Sequence, residues 1–111
     1  MSGRRKTIGI IGLGAFGEFL AKPLARYYRI VGHDPRRVRQ DDMNIDDGAP
    51  FRLAGLEETA RQDIVVFAVP LASLEDAATR AAPHIRPGAL VVDVTSVKVR
   101  PLEILARIIP A

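Results

Sequence analysis

The sequence contains no cysteine and no tryptophan, and only 5% of its 111 residues are aromatic. Without cysteine there is no disulfide framework and no thiolate metal site. No apolar run approaches the ~20 residues of a spanning helix. The opening Met1-Ser2-Gly3-Arg4-Arg5-Lys6 leads into no signal-peptide core, because the apolar stretch from Ile8 to Leu13 is short and broken by glycines. A soluble, cytoplasmic chain with no membrane partner is expected. Charge of one sign is not concentrated either. The net charge of +3 comes from 13 Arg and 3 Lys against 13 acidic residues, and Arg4-Arg5-Lys6 and Arg36-Arg37 are the tight clusters. A nucleic-acid surface gathers a basic stripe, often interleaved with aromatics; its absence argues against a nucleic-acid partner, and an anionic small ligand explains the balance as well.

A hydrophobic fraction of 48% at this length suits one domain. Such a chain buries roughly two-thirds of its unfolded surface, enough for a core without crosslinks. Thr7 to Gly12 reads as a buried strand, and Phe16, Leu20, Leu24 and Tyr27 or Tyr28 recur at helical spacing after it. Arg29 to Asp34 reads as a second strand stopped by Pro35. Residues 35 to 50 read as loop, Phe51 to Leu53 as a short strand and Leu56 to Arg61 as a short helix. Asp63 to Val69 is the clearest strand, ended by Pro70. Ser73 with Asp76 three residues on suggests a capping box for a helix to Ala82. Ala89 to Val94 is a further strand, and a helix is expected from Pro101 to Ile109.

Strands and helices alternate, and the strands are continuously apolar, the pattern of parallel strands covered on both faces. The fold class is α/β: a doubly wound parallel sheet of Rossmann type, ordered 3-2-1-4-5. The chain stops at Ile109-Pro110-Ala111 where another strand is expected. Residues 1–111 therefore read as one dinucleotide-binding domain cut before its last strands.

Gly12-Leu13-Gly14-Ala15-Phe16-Gly17 matches G-x-G-x-x-G, which is weak alone. Here it follows a predicted strand, opens a predicted helix and precedes Asp34 at the end of strand two, the context that makes the pattern persuasive. Gly12 permits the tight turn, Gly14 lets backbone approach a pyrophosphate, and Gly17 lets helix and strand pack closely. Asp34 would accept hydrogen bonds from the adenosine ribose and favours NAD, whereas Arg36 or Arg37 would suit the 2′-phosphate of NADP. NAD is the favoured cofactor, with NADP possible. Pro23 interrupts the first helix pattern. Asp42-Met43-Asn44-Ile45-Asp46 imitates a calcium loop, but Asp47 and Leu53 stand where glycine and glutamate are required, so no metal is expected. His33 and His84 both read as structural. The reacting end of the cleft falls at the carboxyl ends of strands one, four and five, where Ser96 and Lys98 are placed to hold a hydroxylated or anionic substrate.

Ile8 to Gly17, then Phe67-Ala68-Val69-Pro70, then Asp93-Val94-Thr95-Ser96-Val97-Lys98 resemble the nucleotide-binding half of the prephenate and arogenate dehydrogenases. The wording from Gly12 to Ala21 is especially similar to the arogenate-using branch. The resemblance implies an NAD(P)-dependent oxidative decarboxylation in tyrosine biosynthesis, with hydride leaving the ring carbon that bears the hydroxyl. It implies cofactor contacts from Val69, Pro70 and Thr95, and contact of Ser96 with the substrate hydroxyl. It also implies a catalytic histidine some twenty residues beyond Ser96, past Ala111, and a helical domain that pairs two subunits. The alternatives are another β-hydroxyacid-type dehydrogenase, an imine reductase, or a non-catalytic nucleotide-sensing module.

Overall fold

The structure is a computed structural model, and it describes residues 6–37 and 50–94. Five strands are laid down in chain order: β1 (Thr7–Ile11), β2 (Arg29–His33), β3 (Phe51–Leu53), β4 (Ile64–Phe67) and β5 (Leu90–Asp93). All four pairings are parallel, and the spatial order is β3-β2-β1-β4-β5. Three helices connect them: α1 (Ala15–Leu24), α2 (Leu56–Ala60) and α3 (Leu71–Ala81), the last followed by a 3-10 turn over Ala82–His84. The predicted order 3-2-1-4-5 is the observed one.

Side chains of a strand alternate between faces, and here each face has its own core. Ile8, Ile10 and Ile30 pack with Phe51 under Ala21 and Ala25 of the α1 side. Ile11, Val65 and Phe67 point the other way, onto Ala60 of α2 and Leu74, Ala78 and Ala81 of α3. Burial on both faces is why these strands are apolar throughout.

The predicted elements that fall among the described residues are present, but several ends move. β1 stops at Ile11 and β4 at Phe67, short of Gly12 and Val69. The capping box at Ser73 is corrected: α3 starts at Leu71, with Pro70 in the N-cap position and no side-chain cap. The Ser73 N–H bonds instead to the Pro70 carbonyl at 2.8 Å. Pro70 has no N–H to leave unpaired and its φ of -58° already suits a helix start, so the helix begins three residues early. Pro23 does lie inside α1, which ends one residue later. The calcium-like segment from Asp42 to Asp47 and the expected helix from Pro101 to Ile109 fall outside the described residues.

Candidate functional site

The parallel order reverses between β1 and β4, and clefts in open α/β sheets form at the carboxyl ends of strands at such a switch point. A cavity of about 820 Å³ opens there, within the roughly 300–1,000 Å³ of small-molecule sites. Its walls come from the turn after β1 (Gly12, Gly14), the end of β2 (Asp34, Arg36) and the end of β4 (Val69, Pro70).

Each glycine of the turn has a different physical reason. Gly12 has φ of +103°, and a Cβ there would lie 2.8 Å from the Ala68 carbonyl carbon and oxygen. A Cβ on Gly17 would lie 2.1 Å from the Gly12 carbonyl oxygen, so α1 closes onto the turn only with hydrogen at that position. Gly14 is unlike both. Its φ is -70°, and a Cβ would meet nothing nearer than the Arg36 guanidinium at 3.5 Å. Neither backbone torsion nor protein packing asks for glycine at position 14; the space beside it belongs to the cavity. Gly14 is also the N-cap of α1, with no side-chain cap. The first N–H groups of a helix lack partners within it and favour an anion.

Asp34 is 5% exposed. Its Oδ2 accepts from the Leu13 N–H at 2.8 Å and from Arg36 Nη2 at 3.3 Å. Oδ1 accepts from the Arg36 N–H at 2.9 Å and from Arg36 Nε at 3.2 Å. A carboxylate offers about four acceptor positions, and all are engaged. Burial works against the charge, but these hydrogen bonds and the Arg36 charge outweigh it and hold the Asp34 carboxyl below its ordinary value. Arg36 itself is 73% exposed, and its pKa is raised by its hydrogen bonds to Asp34.

The structure therefore brings together Gly12, Gly14, Asp34, Arg36, Val69 and Pro70. Leu13 and Gly17 are buried behind the turn, Leu13 tying it to Asp34 through its N–H. Ala15 and Phe16 form the first turn of α1. The Arg37 N–H bonds to the Asp34 carbonyl at 2.9 Å, and Arg37 does not line the cavity. Thr95, Ser96 and Lys98 lie outside the described residues. His33 lines the cavity and its Nδ1 is 3.1 Å from the Ala54 carbonyl oxygen. His84 does not line it; its Nε2 lies 3.8 Å from Glu57. Sequence reasoning missed Ser73, Asp76, Ala77 and Arg80, which line the cavity from α3. Their spacing puts them on one helix stripe beside the buried Leu74, Ala78 and Ala81. The signal was present once α3 was known to start at the cleft. Among the described residues no cluster of three metal-ligating side chains occurs, and no helix is long and apolar enough to cross a membrane.

Sheet order, switch-point cleft and glycine turn define a Rossmann-type nucleotide-binding domain. Residues 20–111 match the family model described as the nucleotide-binding domain of prephenate dehydrogenase, and the chain belongs to that family. The matched range begins after the glycine turn, so the assignment does not depend on that widespread pattern. A probable arogenate/prephenate dehydrogenase of Methanocaldococcus jannaschii is 33% identical over 105 residues, covering 88% of this chain and 22% of that protein. Solved structures that share the fold include two dehydrogenases. The prephenate dehydrogenase from A. aeolicus, in complex with hydroxyphenyl propionate and NAD+, has a TM-score of 0.70 at 22% identity, covering 97% of this chain and 40% of its own. Synechocystis arogenate dehydrogenase has a TM-score of 0.74 at 24% identity, covering 92% of this chain and 37% of its own. The chain thus spans a minor part of the length of these relatives. The family match favours neither an imine reductase nor a sensing module.

Proposed function

We propose that residues 1–111 form the cofactor domain of an NAD-dependent prephenate or arogenate dehydrogenase. Family membership supports the reaction class, and the observation that supports the cofactor is Gly14, a cleft-lining glycine that neither backbone torsion nor packing requires. The pyrophosphate would lie against Gly12 to Gly17 at the start of α1, with Val69, Pro70 and Thr95 along the nicotinamide half. When bound, the nicotinamide supplies the hydride acceptor. Ser96 would hold the substrate hydroxyl and Lys98 a substrate carboxylate. The base that takes the hydroxyl proton, and a helical domain that pairs two subunits, would come from beyond Ala111. The working setting proposed is the cytoplasm, within tyrosine formation.

NAD is preferred over NADP in this reading, and Arg36 modulates the preference. Ribose hydroxyls can bond to Asp34 only after the Arg36 side chain leaves it, since the acceptor positions are filled. Arg36 is largely exposed. Displaced from Asp34, its guanidinium would be free to meet a 2′-phosphate. The test is steady-state kinetics of a protein extended past Ala111, with prephenate and with arogenate. Ser96→Ala is expected to lower kcat/KM by about 10²-fold, as for loss of one positioned hydrogen-bonding group in a site. Unchanged kinetics would contradict the assignment of Ser96.

A further inference from the structure

A second concavity, of about 470 Å³, lies at the opposite end of the sheet, where strands begin rather than end. Thr7 opens β1, Arg29 opens β2 and Phe51 opens β3 along its floor. Four arginines rim it: Arg29, Arg52, Arg61 and Arg86.

Two of the four have structural work. Arg52 pairs with Glu58, which that hydrogen bond holds below its ordinary carboxylate value, and Arg86 pairs with Asp63 at 2.5 Å. Ion pairing explains why those two are present. It does not explain the others. Among the described residues, neither Arg29 nor Arg61 has a carboxylate within ion-pair distance, and both are exposed. The Arg61 guanidinium instead meets a ring nitrogen, His84 Nδ1, at 3.5 Å. Four guanidinium groups against two carboxylates leave an excess of positive charge around a concave surface. Like charges so gathered raise the local potential and attract an anion. The nucleotide cleft cannot account for this charge, because it lies at the other end of the strands.

We propose that this groove is a second binding site, for a small polyvalent oxyanion. Arg29 and Arg61 contribute forked donors outside any ion pair, Arg61 with one nitrogen at His84 and its charge felt by Glu58, and such forks match the paired oxygens of phosphate or carboxylate. Arg52 and Arg86, already neutralised, shape the rim. The site is independent of the nucleotide reading and stands or falls separately.

The test is a titration of the 111-residue chain, followed by the arginine Nε–H and backbone amide signals in nuclear magnetic resonance. Inorganic pyrophosphate and citrate serve as probes, each against sodium chloride at equal ionic strength. Saturable shifts of the Arg29 and Arg61 Nε–H signals are expected. Tighter pyrophosphate binding assigns a phosphorylated ligand, and tighter citrate binding assigns a polycarboxylate. The pair Arg29→Gln and Arg61→Gln should weaken binding by about tenfold or more, the usual consequence of losing charge-assisted hydrogen bonds. Arg29→Lys, which keeps the charge but loses the fork, should fall between, and Lys22→Gln on α1 should change nothing. Shifts confined to Gly14 and its neighbours, shifts that only follow ionic strength, or undiminished binding in the double variant would each overturn the proposal.

Discussion

Asp34 and Arg36 show how the two candidate cofactors are balanced by single side chains. The sequence places a carboxylate at the end of β2 and two arginines just after it, and read alone these pull toward different cofactors. The structure separates the arginines: Arg36 lies in the cleft on Asp34, while Arg37 lies outside the cavity. No spacing rule would have revealed that, because it depends on which way the chain turns after Pro35. Arg36→Gln is expected to raise NAD affinity by freeing Asp34 and to lower NADP affinity by about tenfold through loss of a charge-assisted contact. Calorimetric titration with each dinucleotide checks this; an unchanged NAD-to-NADP ratio would remove Arg36 from the specificity argument.

Elements are joined at their starts as well as at the cleft. Asp63, just before β4, accepts the Thr7 N–H at 3.0 Å and the Thr7 hydroxyl at 3.1 Å, and its own N–H returns to that hydroxyl at 3.1 Å. The Thr7 N–H bond above all, with help from the Thr7 hydroxyl and Arg86 and against the cost of burial, holds the Asp63 carboxyl below its ordinary 3.8. A carboxyl depressed on folding stabilises the fold fully above its unfolded pKa, and that contribution disappears as pH falls through the lower folded value. Asp63→Asn should therefore cost about 1–2 kcal/mol at neutral pH. The gap between wild type and variant should close below pH 3.8. Urea melts at both pH values measure it, and a gap independent of pH would place the stabilisation elsewhere. Sequence patterning found β1 and β4 but not this clasp, which links residues 56 positions apart. Element ends were the less legible part for a local reason. Apolar runs continue past the strand ends, as at Gly12 and Val69, and both residues line the cleft. Pro23 removes the N–H that would bond the Phe19 carbonyl, and α1 ends one residue later.

For the molecule as a whole, topology was the most legible feature. Continuous apolar strands alternating with helical segments leave few arrangements, and the right-handed parallel crossover selects among them. The cleft was half legible: its glycine turn and Asp34 carry a pattern, whereas the α3 stripe of Ser73, Asp76, Ala77 and Arg80 does not. The chemistry is legible only through family resemblance. Hydride transfer needs a base within hydrogen-bond reach of the substrate hydroxyl. His84 lies away from the cavity, and His33 lines it at the end of β2 beside Asp34, not at the ends of β4 and β5 where the substrate is expected. The 111-residue chain assayed alone with prephenate or arogenate and NAD is expected to form no NADH above the uncatalysed rate. Steady turnover would return His33 to consideration as the base. The reading as a cofactor domain meets its sharpest test at Gly14, where a Cβ would make only ordinary contact with the Arg36 guanidinium. Gly12→Ala and Gly17→Ala should damage the fold, since their Cβ atoms would strike backbone. Gly14→Val should cost the fold only about the 1 kcal/mol of a poorer N-cap and fill the pyrophosphate position. Titration calorimetry of wild type and Gly14→Val with NAD decides it: the account predicts saturable binding to the wild type and none to the folded variant, and equal affinity for both would contradict it.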